Sequence, residues 1–167
     1  MKTLRETRRF AIKAHGAQPY GPFPYSYHLR AAEEVARRFG FDSPVILIAI
    51  WLHDVIEDCK LSVWRLLLSG LNWRAVRMAW AVSDGEGATR KERKARTYAK
   101  IRKVRGAKIV KLCDRIANVE FSSSRWGDPR KFQMYKDEYD HFQRELRDKT
   151  DLVLEPMWLH LDSLLCQ

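Results

Sequence analysis

The sequence predicts an all-α fold, and three observations carry that prediction. Apolar residues recur at helical spacing along the chain, and no segment alternates with period two for long enough to form a strand. Helix start and stop signals punctuate the sequence from end to end. Only 8 glycines and 6 prolines interrupt 167 residues that are 46% hydrophobic and 31% charged, a balance that excludes disordered and fibrous chains.

The elements follow in order. Leu4 to His15 reads as a first helix, with Leu4, Phe10, Ile12 and Ala14 on or near its inner side. Pro19-Tyr-Gly-Pro-Phe-Pro cannot be helical, since proline lacks the amide donor and clashes with the preceding turn. Ser26 can cap a second helix running to Arg38 and closed by Gly40. Ser43-Pro44 is an N-cap followed by proline at the first helical position, and the helix it starts is the apolar run Val45 to Leu52. Ser62 begins a short helix ending near Gly70, and Asn72 begins another ending near Val82, before the loop Ser83-Asp-Gly-Glu-Gly-Ala. Thr89 with Glu92 three residues on is a capping box that opens a basic helix to about Arg105, where Gly106 breaks it. Ala107 to Phe121 is a mostly apolar helix, Asp128-Pro129 starts a long amphipathic one to about Lys149, and Pro156 starts a last helix to Leu165.

At this length the size prior favours one domain over residues 1–167, large enough to bury a core. The charged start of the chain does not read as a signal peptide, and the longest apolar run is far short of the ~20 residues that span a bilayer. A cytoplasmic protein without membrane partners is expected. Cys59, Cys113 and Cys166 lack metal or redox spacing and read as buried free thiols. Trp73, Trp80 and Trp126 read as core aromatics or as an interface, which leaves the oligomeric state open. The net charge is +10, and ten basic residues stand against the single acid Glu92 between Arg90 and Lys108. That run reads either as a solvated helix face or as a field that draws in an anionic nucleotide or nucleic acid.

The chemistry concentrates at the end of the apolar helix, where His53-Asp54 is followed by Glu57-Asp58. Four ionisable groups there cost several kcal/mol each unless something compensates them, and a metal ion does so. Helical geometry puts His53 with Glu57, and Asp54 with Asp58, one turn apart. His28 on the preceding helix and Asp114, a lone carboxylate in the run from Ile109, complete a set of two imidazoles and two carboxylates. That mixed set suits manganese, iron or zinc better than calcium. Each has a plainer reading, His28 as a hydrogen-bonded structural histidine and Asp114 as a partner of Arg115 or Lys111. Their conjunction favours the metal. Asn118, one turn beyond Asp114, could read a base or sugar.

Five strings carry a wider resemblance. They are Ala14-His15-x-x-Gln18, Pro24-Tyr25-x-x-His28, Leu52-His53-Asp54-x-x-Glu57-Asp58, Val82-Ser83-Asp84 followed by Arg93-Lys94, and Gly106 through Lys111-Leu-Cys-Asp114-Arg-Ile-Ala-Asn118. Together they resemble the HD-domain phosphohydrolases, specifically the hydrolase domain of the Rel/SpoT alarmone enzymes and the small alarmone hydrolases, over roughly residues 5 to 145. The resemblance implies an HD-domain bundle of eight to nine helices holding one manganese ion with His28, His53, Asp54 and Asp114. It also implies removal of the 3′-pyrophosphate from a purine alarmone such as (p)ppGpp or (p)ppApp. Glu57 is then the general base and Asp58 positions the water, two roles that the sequence alone does not separate. Asn118 and Tyr139 match positions that contact the nucleoside, Ser83 lies in the matching loop, and Arg90 and Lys94 are candidates for phosphate contacts.

Two departures bear on the substrate. Family members carry a basic Arg-Lys segment after the glutamine that matches Gln18, where this chain has Pro19-Tyr20-Gly21-Pro22, and Glu86 replaces a second basic position. Tyr20 could stack on a base but supplies no charge. A small nucleotide is the expected partner. The alternatives are a phosphatase acting on another 3′- or 2′-phosphorylated nucleotide such as NADPH, and a nucleic-acid-binding module with a vestigial HD site.

Overall fold

The computed structural model describes residues 1–166; the side chain of Lys91 and the whole of Gln167 lie outside the described residues. The described chain is a helical bundle in the order α1 (Leu4–His15), β1 (Pro19–Tyr20), β2 (Phe23–Pro24), α2 (Ser26–Arg38), α3 (Pro44–Leu52), α4 (Val63–Leu68), α5 (Trp73–Val82), α6 (Arg90–Lys103), α7 (Ala107–Ser122), α8 (Pro129–Leu146) and α9 (Glu155–Leu165). No described helix is long and apolar enough to cross a membrane.

Local chemistry accounts for most of the helix starts. Thr3 and Glu6 form a reciprocal capping box on α1, and Ser62, Asn72 and Asp128 each accept a backbone amide at the head of α4, α5 and α8. Thr89 also accepts the Glu92 amide, but Glu92 turns its carboxylate to the Ala88 amide, so only half of the expected box forms. Ser26 is the first residue of α2 rather than its cap, and Tyr25 in the capping position makes no side-chain cap bond.

The Pro19–Pro24 segment is not helical, and it is not irregular either. Two residues on each side pair antiparallel, Pro19 with Pro24 and Tyr20 with Phe23, across Gly21-Pro22. Gly21 takes a φ of +57°, and a side chain there would meet Phe121 Cζ at 2.7 Å. Glycine is needed on both counts.

Helix α3 lies at the centre, packed against α1, α2, α5 and α7, and every residue from Leu47 to Leu52 is buried. That explains its uniform hydrophobicity: it has no solvent face to keep polar. Helix α7 packs against α2, α3, α5, α8 and α9, and so sets the second wall of the core. One buried carboxylate locks the first three helices together. Glu33 of α2 accepts from Arg8 of α1, from Arg37 one turn on, and from the Trp51 indole of α3 at 2.5 Å. Burial raises its pKa, but these donors outweigh burial and hold the carboxyl below its usual range.

The three large aromatics left between core and interface all fall on the same side. Trp73, Trp80 and Trp126 are all exposed, while Trp51 and Trp158 fill the core. The cysteines divide as well: Cys113 is buried, Cys59 is half-buried, and Cys166 is exposed, contrary to the expected burial of all three.

Candidate functional site

The α-ladder ends at Leu52, one residue before the His-Asp pair. His53 N–H reaches back only three residues, to Ile50 O at 3.5 Å, and residues 53–58 run as successive turns. His53, Asp54, Glu57 and Asp58 therefore do not share a helix as the sequence suggests, although Asp58 N–H still meets Asp54 O at 2.8 Å. The tightening has a cause. His53 Nδ1 lies 2.6 Å from the same Ile50 carbonyl, which draws ring and backbone toward one acceptor.

That contact makes Nδ1 the donor and leaves the Nε2 lone pair pointing inward. His28 Nε2 lies 3.1 Å from His53 Nε2. Asp54 Oδ2 is 2.8 Å from His53 Nε2 and 3.5 Å from His28 Nε2, while Asp114 Oδ1 is 3.5 Å and 3.4 Å from the same two atoms. Four donors from the α3 terminus, α2 and α7 thus converge on one point. His28, His53 and Asp114 alone suffice as a geometric metal cluster. An ion held at roughly 2.0–2.2 Å by imidazole and carboxylate spreads its donors on the order of 3 to 3.5 Å apart, so the set fits a divalent cation. Burial opposes charge on every member, yet opposite charges prevail: His53 holds Asp54, and Lys111 with the imidazoles holds Asp114, well below the usual carboxylate range, while the carboxylates raise both imidazoles.

A layer of partners orients these donors. Tyr25 O–H donates to Asp54 Oδ2, Lys111 Nζ donates to Asp114 Oδ2 at 2.7 Å, and Asn118 Nδ2 donates to Asp114 Oδ1 at 2.5 Å. Asp114 therefore faces Lys111 as well as the imidazoles, so its two readings from sequence coexist. Tyr20 joins them through the hairpin. Its hydroxyl donates to Asn118 Oδ1 at 2.9 Å and its ring stacks on His28 at 4.9 Å between centroids.

The remaining expected residues divide into four groups. Glu57 and Asp58 are exposed; Glu57 accepts from the Asp84 amide at 2.9 Å, and Asp58 accepts from Gln18 Nε2 at 2.8 Å. Ser83 is buried and donates to Ala79 O at 2.8 Å and His53 O at 3.4 Å, tying the loop after α5 to the His-Asp backbone. Arg90 pairs with Glu138, and Lys94 pairs with Asp84 at 3.1 Å. Burial and then the charge of Lys111 lower the Lys94 ammonium, so two cations share one field beside Asp114. Tyr139 is not brought to the centre. Its hydroxyl donates to Asp162 at 2.8 Å, which fixes it in the α8–α9 contact.

Beside the four donors opens a cavity of about 500 Å³. Tyr20, Tyr25 and Asn118 form its boundary with the donors, and Phe121, Trp126 and Tyr135 supply aromatic walls, with Lys131 as its cation. Tyr135, one helical turn before Tyr139, is the tyrosine of α8 that faces this space. The sequence reading missed Tyr135 and Lys131 and gave no role to Tyr25. The last had a signal, because Tyr25 stands three residues before His28 on the same helical face.

No family model and no curated protein matches the chain. Among solved structures, a match comes from one described as a metazoan ortholog of SpoT that hydrolyzes ppGpp and plays a role in starvation responses. The similarity has a TM-score of 0.76 at 24% identity and covers 96% of this chain and 92% of that one. The chain has the HD-domain fold. The all-α expectation is borne out in that form, with the short Pro19–Pro24 hairpin as an addition among the described residues.

Proposed function

We propose that this protein is a manganese-dependent hydrolase that removes the 3′-pyrophosphate from a purine alarmone, (p)ppGpp or (p)ppApp. The observation that carries the reading is the convergence of His28, His53, Asp54 and Asp114, every measured pair lying between 2.8 and 3.5 Å. The fold shared with a ppGpp-hydrolysing ortholog of SpoT supports the substrate class. An aromatic cavity directly beside the donors supports a nucleoside as the part recognised.

His28, His53, Asp54 and Asp114 would hold a divalent ion, which would lower the pKa of a water and neutralise phosphate charge. The chain supplies the rest. Glu57 takes a proton from the attacking water while Asp58, held by Gln18, keeps that water in line. The water oxygen bonds to the phosphorus attached at the 3′ position, the bond to the 3′ oxygen breaks, and that oxygen leaves with a proton from solvent. Nucleoside diphosphate or triphosphate and pyrophosphate are the products. Tyr25, Asn118 and Lys111 keep both carboxylates turned inward. Lys94 and Lys111 offer positive charge to the departing pyrophosphate, and the nucleoside lies along Tyr20, Trp126 and Tyr135.

The test is product analysis with purified protein, manganese, and a panel of ppGpp, ppApp and NADPH. Pyrophosphate from either alarmone supports the reading. Orthophosphate from NADPH would replace it with a nucleotide phosphatase, and no turnover at any metal loading would remove it.

A further inference from the structure

Helices α3, α5 and α7 all serve the candidate site from their later portions: α3 leads into His53, α5 into Ser83, and α7 carries Asp114 and Asn118. Their opening turns also meet, at the far side of the bundle. A cavity of about 590 Å³ lies there, larger than the one beside the four donors. Ile46 of α3, Met78 of α5 and Ile109 of α7 form an apolar floor. The floor is tight at Gly106, where a side chain would meet Met78 Sδ at 2.8 Å and Ile46 Cδ1 at 3.1 Å.

The rim is of a different character. Arg74, Arg77 and Arg105 line the cavity, the Trp73 ring stands as one wall, and no carboxylate lines it. Among the described residues none of the three arginines has an ion-pair partner, and Arg74 only covers the Trp73 ring at 5.4 Å. From Lys60 to Val82 the chain contains no acid at all. The volume falls within the roughly 300–1,000 Å³ of small-molecule sites, which are typically apolar with a few placed charges. Guanidinium groups match phosphate oxygens, and an indole face matches a flat ring. A second copy of this chain is a poor occupant, because the basic rim would meet its own charge.

We propose that this cavity is a second nucleotide-binding site, with phosphates on Arg74, Arg77 and Arg105 and the base against Trp73. The proposal stands apart from the hydrolase reading, since it concerns binding in a cavity that none of the four donors lines.

Hydrogen exchange of the whole chain, with GTP and inorganic pyrophosphate as probes, tests it. GTP slows exchange in residues 73–78 and 104–109, and Arg77→Glu with Arg105→Glu weakens that protection by at least about tenfold in GTP concentration. Trp73→Ala weakens the GTP effect while leaving that of pyrophosphate unchanged. Protection by GTP confined to residues 118–135, or absent altogether, overturns the site. Equal protection of residues 73–78 by pyrophosphate and GTP overturns its assignment to a nucleotide. If the double charge reversal does not fold, the wild-type map and Trp73→Ala decide.

Discussion

Asn118 Nδ2 donates to Asp114 Oδ1 at 2.5 Å from one turn further along α7, and its own oxygen accepts from Tyr20. A residue expected to read the substrate lines the cavity and also holds a candidate ligand in place. Asn118→Ala should therefore raise the manganese concentration needed for half-maximal activity by about 10–100-fold, the usual cost of losing such a support. A shift confined to substrate KM would show that Asn118 acts on the nucleotide instead.

His53→Ala and Asp54→Ala should abolish pyrophosphate release and leave the helical circular dichroism spectrum intact. Chelation of the wild-type protein should do the same, with manganese restoring activity. Full activity after exhaustive chelation would leave the metal without a role.

Glu57→Gln should lower kcat by about 10²–10⁴-fold, the range for a lost general base, while bound manganese measured by elemental analysis stays the same. Asp58→Asn should lower kcat less, because Gln18 can still hold the amide. A reversed order would exchange the two roles.

The Glu33 clamp sets an acid limit on the fold. Its folded pKa lies below the ordinary value of 4.5, so its contribution is complete above that pH and is lost as pH falls through the folded pKa. Urea midpoints measured between neutral pH and pH 3 should fall steeply below about 4.5. Glu33→Gln should be less stable at neutral pH and show a shallower fall. Parallel curves for the two proteins would assign the acid sensitivity elsewhere.

Burial, with Asp58 and Asp54 adding to it, pushes the Cys59 thiol up to about 11. Iodoacetamide at neutral pH should modify exposed Cys166 well before Cys59, as read by peptide mass mapping. Early loss of Cys59 would contradict this.

Elements with local causes were legible in the sequence. Ser62, Asn72, Thr89 and Asp128 each announce a helix, because a side-chain oxygen three residues or fewer from an orphan amide needs no tertiary help. The four converging donors were legible as well, since polar groups inside apolar runs stand out wherever the fold takes them. What stayed hidden depends on phase and closure. The turn that takes His53 out of α3 follows from one shared carbonyl, and the choice between Tyr135 and Tyr139 follows from how α8 rolls against α9. The basic run between Arg90 and Lys108 fits the solvated-face reading in part, since Arg90 and Arg102 meet acids of α8 and Lys94 meets Asp84 in the loop before α6.

The hairpin that carries Tyr20 stands outside the hydrophobic core, into which neither Tyr20 nor Phe23 enters. It is joined to α1 and α2 at its two ends and touches the donor cluster through a single ring and hydroxyl. One wall of the cavity is thus carried by a piece of chain that supplies none of the four donors. If the proposed function holds, exchanging the few residues between Gln18 and Tyr25 for a longer, basic loop changes one wall of the cavity while leaving all four donors in place, with Phe121 and Tyr27 as the helix residues that must readjust, a short mutational path between substrates for one scaffold.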